Sequence, residues 1–216
     1  SISNSTISGN SATQGSGMAL NSGSVTLDSS SGNVVIDDAI AKVGTGNAAT
    51  LNLIGTSGTI SLNAPVTSFD NTLTISAAGS GVLNLNAPIL ASGGTFTLTG
   101  SGISTINVGN GGNANNTGII GQGVTLAATG GTVNLASGTF TDPATINIDK
   151  TLTVNGTTGT TVSGGGTQQV FNISGGTVNL NSLTITGGST SGNGGGVFID
   201  SGATVAISNS TISGNT

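Results

Sequence analysis

Short runs in which every second residue is apolar return along this chain at intervals of about 22–27 residues. That recurrence restricts the fold more than any single run does. Leu51, Leu73 and Phe96 hold equivalent places in three successive runs, and Ile60, Leu83 and Ile106 do so at a constant spacing. Asn63-Ala64-Pro65-Val66 comes back one interval later as Asn86-Ala87-Pro88-Ile89. Towards the C-terminus the interval lengthens to its upper value. There Val170-Phe171 returns as Val197-Phe198, Thr177-Val178 as Thr204-Val205, and Leu183-Thr184-Ile185 as Ser210-Thr211-Ile212.

Within each run the alternation has period two, as in Ser24-Val25-Thr26-Leu27, Thr72-Leu73-Thr74-Ile75 and Thr132-Val133-Asn134-Leu135. This is the pattern of a strand with one buried face, Val, Ile and Leu inward and Thr, Asn and Ser outward. Gly, Ser, Asn and Asp flank every run and supply the turns. No stretch has sustained helical periodicity, so no helix longer than a turn or two is expected. Two or three short strands per repeat cannot bury their inner face alone, but stacked repeats close a continuous apolar column. The predicted fold class is all-β: a right-handed parallel β-helix, or β-solenoid, with coils of about 22–27 residues over a single segment, 1–216. Glycine, 39 residues in all, suits its corners.

Only 4% of the residues are charged: seven Asp, the two lysines Lys42 and Lys150, and no Arg, Glu or His. The 34% of hydrophobic residues and their regular spacing argue against a disordered chain. Two cations cannot neutralise a phosphate backbone, so nucleic acid is excluded as a partner. No apolar run approaches the ~20 residues of a membrane span. The absence of cysteine excludes a disulfide scaffold.

Residues 2–10, Ile-Ser-Asn-Ser-Thr-Ile-Ser-Gly-Asn, are identical to residues 207–215. The stretches beside them, Ser16–Val25 and Gly195–Val205, are also alike. The chain thus reads as about one period of a longer tandem array, and self-association by stacking of coils is expected.

Chemistry at a site would need clustered groups. The available acids are Asp28, Asp37, Asp38, Asp70, Asp142, Asp149 and Asp200. Only Asp37 and Asp38 are adjacent, and strand neighbours face opposite ways. The expectation is turn and strand-edge aspartates, with no catalytic residue, no metal ligand and no cofactor. The Gly-rich runs Gly109–Asn113 and Gly194–Gly196 lack the strand–loop–helix setting of a phosphate loop and are expected at corners. Thr74, Thr97, Thr125, Thr153 and Thr184 lie between apolar residues and are expected to face outward. A flat threonine array of that kind would bind ice, but Asn52, Asn84, Asn107, Asn134, Asn147 and Asn179 interrupt it. The five Phe are expected in the core, with Phe171 and Phe198 stacked between coils.

The stretches Gly131–Phe140, Ile146–Val154, Val178–Gly188 and Ser208–Asn215 resemble the repeats of polymorphic outer-membrane proteins and autotransporter passengers. Residues 18–108 look more like the coils of filamentous-haemagglutinin-type exoproteins. The resemblance is repetitive and compositional, and it covers most of the chain. It implies export, display on or release from a bacterial cell, and a part in adhesion or matrix; the absence of enzymatic activity is expected from the lack of clustered groups. The partners it implies are further coils of the same kind, and glycans or proteins of a host or matrix.

Overall fold

The structure is a computed structural model that describes residues 1–12, 15–45, 47–109 and 119–216. Residues 110–113 of the first Gly-rich run and the side chain of Phe96 lie outside the described set. The chain forms two compact units, 1–105 and 106–216. Each is a parallel β-solenoid, the fold that the long-period alternation requires.

In the first unit one wall is built from Ile2–Ser3, Gly23–Asp28, Ala49–Ile54 and the first part of Thr72–Leu85. A second wall holds Ser5–Ile7, Val34–Ile36, Thr59–Leu62 and the last part of Thr72–Leu85. The third holds Met18–Leu20, Ile40–Lys42, Val66–Ser68 and Ile89–Ala91. Every pair is parallel, as coils wound in one direction dictate. The strand Thr72–Leu85 serves two walls because it turns at Gly79, which has φ 128° and whose missing side chain leaves room for the Gly55 carbonyl. Any Cβ there would meet that carbonyl, so only glycine fits.

The second unit repeats the plan with Ala127–Leu135, Leu152–Gly156, Gly176–Asn181 and Ala203–Ser208 on one wall. Gly138–Thr141, Thr160–Ser163, Thr184–Thr186 and Thr211–Ile212 form another, and Ile146–Ile148, Phe171–Ile173 and Val197–Ile199 a third. Coil length varies along the chain. Stacked partners are 21 residues apart at Val133 and Val154 and 29 apart at Ile7 and Ile36.

The interior is a set of apolar columns, mostly aliphatic. Leu51 and Ile75 stack in the first unit, as do Val34, Ile60 and Leu83. In the second unit, Val133, Val154 and Leu180 form one column and Phe140, Val162 and Ile185 another, and all six are fully buried. Burying each such side chain is worth about 1.5–3 kcal/mol.

Three expectations are corrected. Leu51 stacks on Ile75 and not on Leu73, whose partner is Ala49. A shift of two residues keeps every side chain on its own face, so alternation alone does not detect it. Phe198 is partnered by Asn172, while Phe171 lies under Val197. The repeat there is one residue shorter than the interval read from sequence, and a one-residue slip reverses the face. Phe171 is accordingly buried and Phe198 is partly exposed on the outer surface. Finally, Ile119–Leu126 is an α-helix of 8 residues, a little over the turn or two expected as the limit, and it includes Thr125, which is expected in a strand. Ile119, Ile120, Val124 and Leu126 are buried along it, and Thr125, read as an outward strand residue, donates its hydroxyl to the Gly121 carbonyl one turn back.

Candidate functional site

With so few ionisable groups in the chain, the place of each one decides what chemistry is available. Six of the seven carboxylates accept hydrogen bonds that hold turns or join coils. Asp28 takes the backbone N–H of Ser30 at 2.9 Å, and that bond holds its carboxyl below the usual value. Asp37 takes the side-chain amide of Asn63 at 2.7 Å. Asp38, facing the other way, takes the backbone and side-chain N–H groups of Asn10 at 3.0 and 2.8 Å. Asp70 takes the Gly44 N–H at 3.1 Å and Asp200 the Ser201 N–H at 2.7 Å. Asp149 is exposed next to Lys150. Asp37 and Asp38 therefore bond to different coils and do not act as a pair.

A partly buried polar arrangement surrounds the helix Ile119–Leu126. Asp142, 5% exposed, accepts the N–H groups of Ile120 at 3.3 Å and Gly121 at 2.6 Å at the helix N-terminus. Lys150 donates from Nζ to the carbonyls of Thr125 at 3.2 Å and Ala127 at 2.6 Å at the other end. An anion at the N-terminus and a cation at the C-terminus oppose the helix dipole, and both pair backbone groups that a short helix leaves without internal partners. Burial pushes the Asp142 carboxyl up to about 6, against the pull of the two N–H groups. Burial also lowers the Lys150 ammonium, with Asp149 acting in the opposite sense. Gln168 fixes the loop from outside by donating to the Asp142 carbonyl at 2.5 Å.

Lys42 is the third ionisable group drawn into the protein, with no exposure at all. It stacks between Leu20 and Ser68, and its Nζ donates to the carbonyls of Val43 at 2.9 Å and Gly44 at 2.8 Å. Residue order alone puts the acids generically in turns or at strand edges and assigns the lysines no position. A signal was nevertheless present: Ile40-x-Lys42, Phe140-x-Asp142 and Ile148-x-Lys150 each put a charged residue at the inward phase of a strand.

The outer surface is organised by amide ladders. Asn134 donates to Asn107 at 2.9 Å, Asn155 to Asn134 at 3.2 Å and Asn181 to Asn155 at 2.9 Å. Ser208 continues the same ladder with a bond to Asn181 at 2.7 Å. A shorter ladder joins Asn86 to Asn63 at 2.7 Å and Asn63 to Asp37. Outward columns mix residue types: Thr26, Asn52 and Ser76 in one, Thr132, Thr153, Asn179 and Ala206 in another. Thr184 belongs to a different wall from Thr153, so the threonines do not make one flat array. A groove over 156–160 is also lined by Ser182, Leu183, Thr184, Asn209 and Thr211, and no charged side chain lines it. Among the described residues no three His, Cys, Asp or Glu side chains gather in a metal-holding group. No helix among them is long and apolar enough to cross a membrane.

No protein family, no curated protein and no solved structure matches this chain in comparisons of sequence and fold.

Proposed function

We propose that this chain is a structural, adhesive segment of a large secreted bacterial surface protein or extracellular fibre, with no reaction of its own. The observation that carries the reading is the use of its side chains. Apolar groups fill inter-coil columns, amides form inter-coil ladders, and six of the seven carboxylates and both lysines hold turns, helix ends or neighbouring coils. Such a segment resists extension and unfolding through its backbone ladders and presents a neutral hydroxyl and amide surface. That surface suits contact with further coils of the same kind and with neutral glycans or proteins of a host or matrix.

Two measurements test this. The native polypeptide, taken under denaturing conditions, should have a mass far above the 20.4 kDa of these residues. An antibody raised against the chain should label intact producing cells or the material they release. A mass near 20.4 kDa would make it a discrete subunit. Labelling only after lysis would remove the surface role.

A further inference from the structure

The nonapeptide found at 2–10 and at 207–215 adopts the same conformation in both places. Asn4 and Asn209 have φ of 45° and 50°, and Gly9 and Gly214 have φ of 72° and 64°. Ser5 and Ser210 each donate a hydroxyl to the carbonyl two residues back, Ser3 and Ser208, at 2.7 Å. Asn10 and Asn215 each donate to the carbonyl two residues back, Ser8 and Ser213, at 3.2 and 3.1 Å.

The two copies meet different neighbours. The first pairs only forward in the chain: Ile2 with Leu27, Ser3 with Asp28, and Ser5–Ile7 with Val34–Ile36. The second pairs only backward: Ile207 with Leu180, Ser208 with Asn181, and Thr211–Ile212 with Thr184–Ile185. Each copy therefore displays one of the two edges of a single coil.

Outside the strand ladders, the backbone groups engaged on the two edges do not overlap. Forward, the Ser5 N–H donates to Asn33 and the Ile7 carbonyl accepts from Asp37. Backward, the N–H groups of Thr211 and Ser213 donate to Leu183 and Ile185, and the Ser208 carbonyl accepts from Ser182. In nonapeptide terms the fourth, sixth and ninth residues serve the following coil, and the second, fifth, seventh and eighth, whose Gly214 carbonyl accepts from Gly187, serve the preceding one. The Ser210 hydroxyl accepts the Leu183 N–H, a role left open in Ser5 by its forward bonds. One contact competes: Asn215 Nδ2 reaches the Ile185 carbonyl at 3.1 Å, where Asn10 Nδ2 reaches Asp38. The backbone N–H of Asn10 also holds Asp38, so the forward contact does not depend on the side chain. On the 207–215 copy, Ile207 and Ile212 are 39% and 47% exposed on the edge that Leu27 and Ile36 cover in the first copy.

We infer that the face of the 207–215 coil takes a second copy of this sequence, seated so that one nonapeptide serves as the last coil of one repeat and the first coil of the next. The junction then recurs once per repeat, with Ser208 facing Asp28 of the next copy and Asn181 behind it. This deepens the proposed function and rests on it.

The test is a fusion of residues 1–215 followed directly by residues 11–216, which shares one nonapeptide. Facing residues on stacked strands lie ~4.8 Å apart, within disulfide reach, and the native chain has no cysteine to interfere. Ser208→Cys combined with Asp28→Cys of the second repeat should cross-link on oxidation at least tenfold more completely than Ser208→Cys with Thr26→Cys of that repeat. Hydrogen exchange at the Ser210 N–H, the counterpart of Ser5, should slow at least tenfold relative to the single chain. Equal cross-linking of both pairs, or unchanged exchange at Ser210, would overturn the junction. A large native mass with failed cross-linking would leave the proposed function standing without this junction. Selective cross-linking with a native mass near 20.4 kDa would do the reverse.

Discussion

Asp142 accepts the backbone N–H of Gly121 at 2.6 Å from the coil that follows, so a short helix is capped by a group 21 positions away. Nothing within the helix performs this task, since its first turn carries no acidic residue. The carboxylate is buried for the sake of the cap, and its raised pKa records the cost of that burial.

That cost makes stability depend on pH. With a folded pKa of about 6 against 3.8 for the free group, the folded state holds the proton more tightly than the unfolded one. The associated stability is full below pH 3.8 and is lost as pH rises through about 6. The loss is at most about 3 kcal/mol, at roughly 1.4 kcal/mol per unit. Urea melts at pH 4 and 7 should show this decline. Asp142→Asn, which keeps an acceptor oxygen without charge, should abolish it, and Asp142→Ala should cost about 1–3 kcal/mol by leaving two N–H groups unpaired.

Lys42 has no exposure and satisfies two carbonyls of its own turn. Lys42→Met preserves most of the packing volume but strands both acceptors. The expected loss is about 2–3 kcal/mol, read from the urea midpoint. A variant as stable as the native chain would mean that those carbonyls find other partners.

The register of the last coils predicts unequal roles for two phenylalanines. Phe171→Ala should cost about 3–5 kcal/mol, because it opens a cavity in a closed column. Phe198→Ala, opposite Asn172 on the outer face, should cost less than about 1 kcal/mol. Equal losses would indicate the longer register read from sequence, in which the two rings stack.

Asn155 both donates to Asn134 and accepts from Asn181. Asn155→Ala interrupts the ladder twice and should cost about 1–2 kcal/mol. Asn155→Asp keeps the acceptor but sets a carboxylate against the Asn134 oxygen. Its loss at pH 7 should therefore exceed that of Asn155→Ala and should shrink as the pH falls below the carboxylate range.

The amino-acid sequence by itself determined the solenoid. Alternation chooses the buried face, and its recurrence at a long, nearly regular interval leaves stacking as the way to cover that face. It also determined most of the strand runs, the one around Thr125 excepted, and that Asp28 and Asp200 hold turns. Only the tertiary structure decided the register. Leu51 over Ile75 and Phe198 over Asn172 depend on loop lengths that shift partners by one or two positions, which a single strand's pattern does not encode. It alone also decided the helix, because the groups that stabilise Ile119–Leu126 stand on the following coil at Asp142 and Lys150. The inward phase of Lys42, Asp142 and Lys150 was legible in the alternation. Their partners were not, because backbone N–H and carbonyl groups exposed at turns and helix ends leave no trace in residue identity.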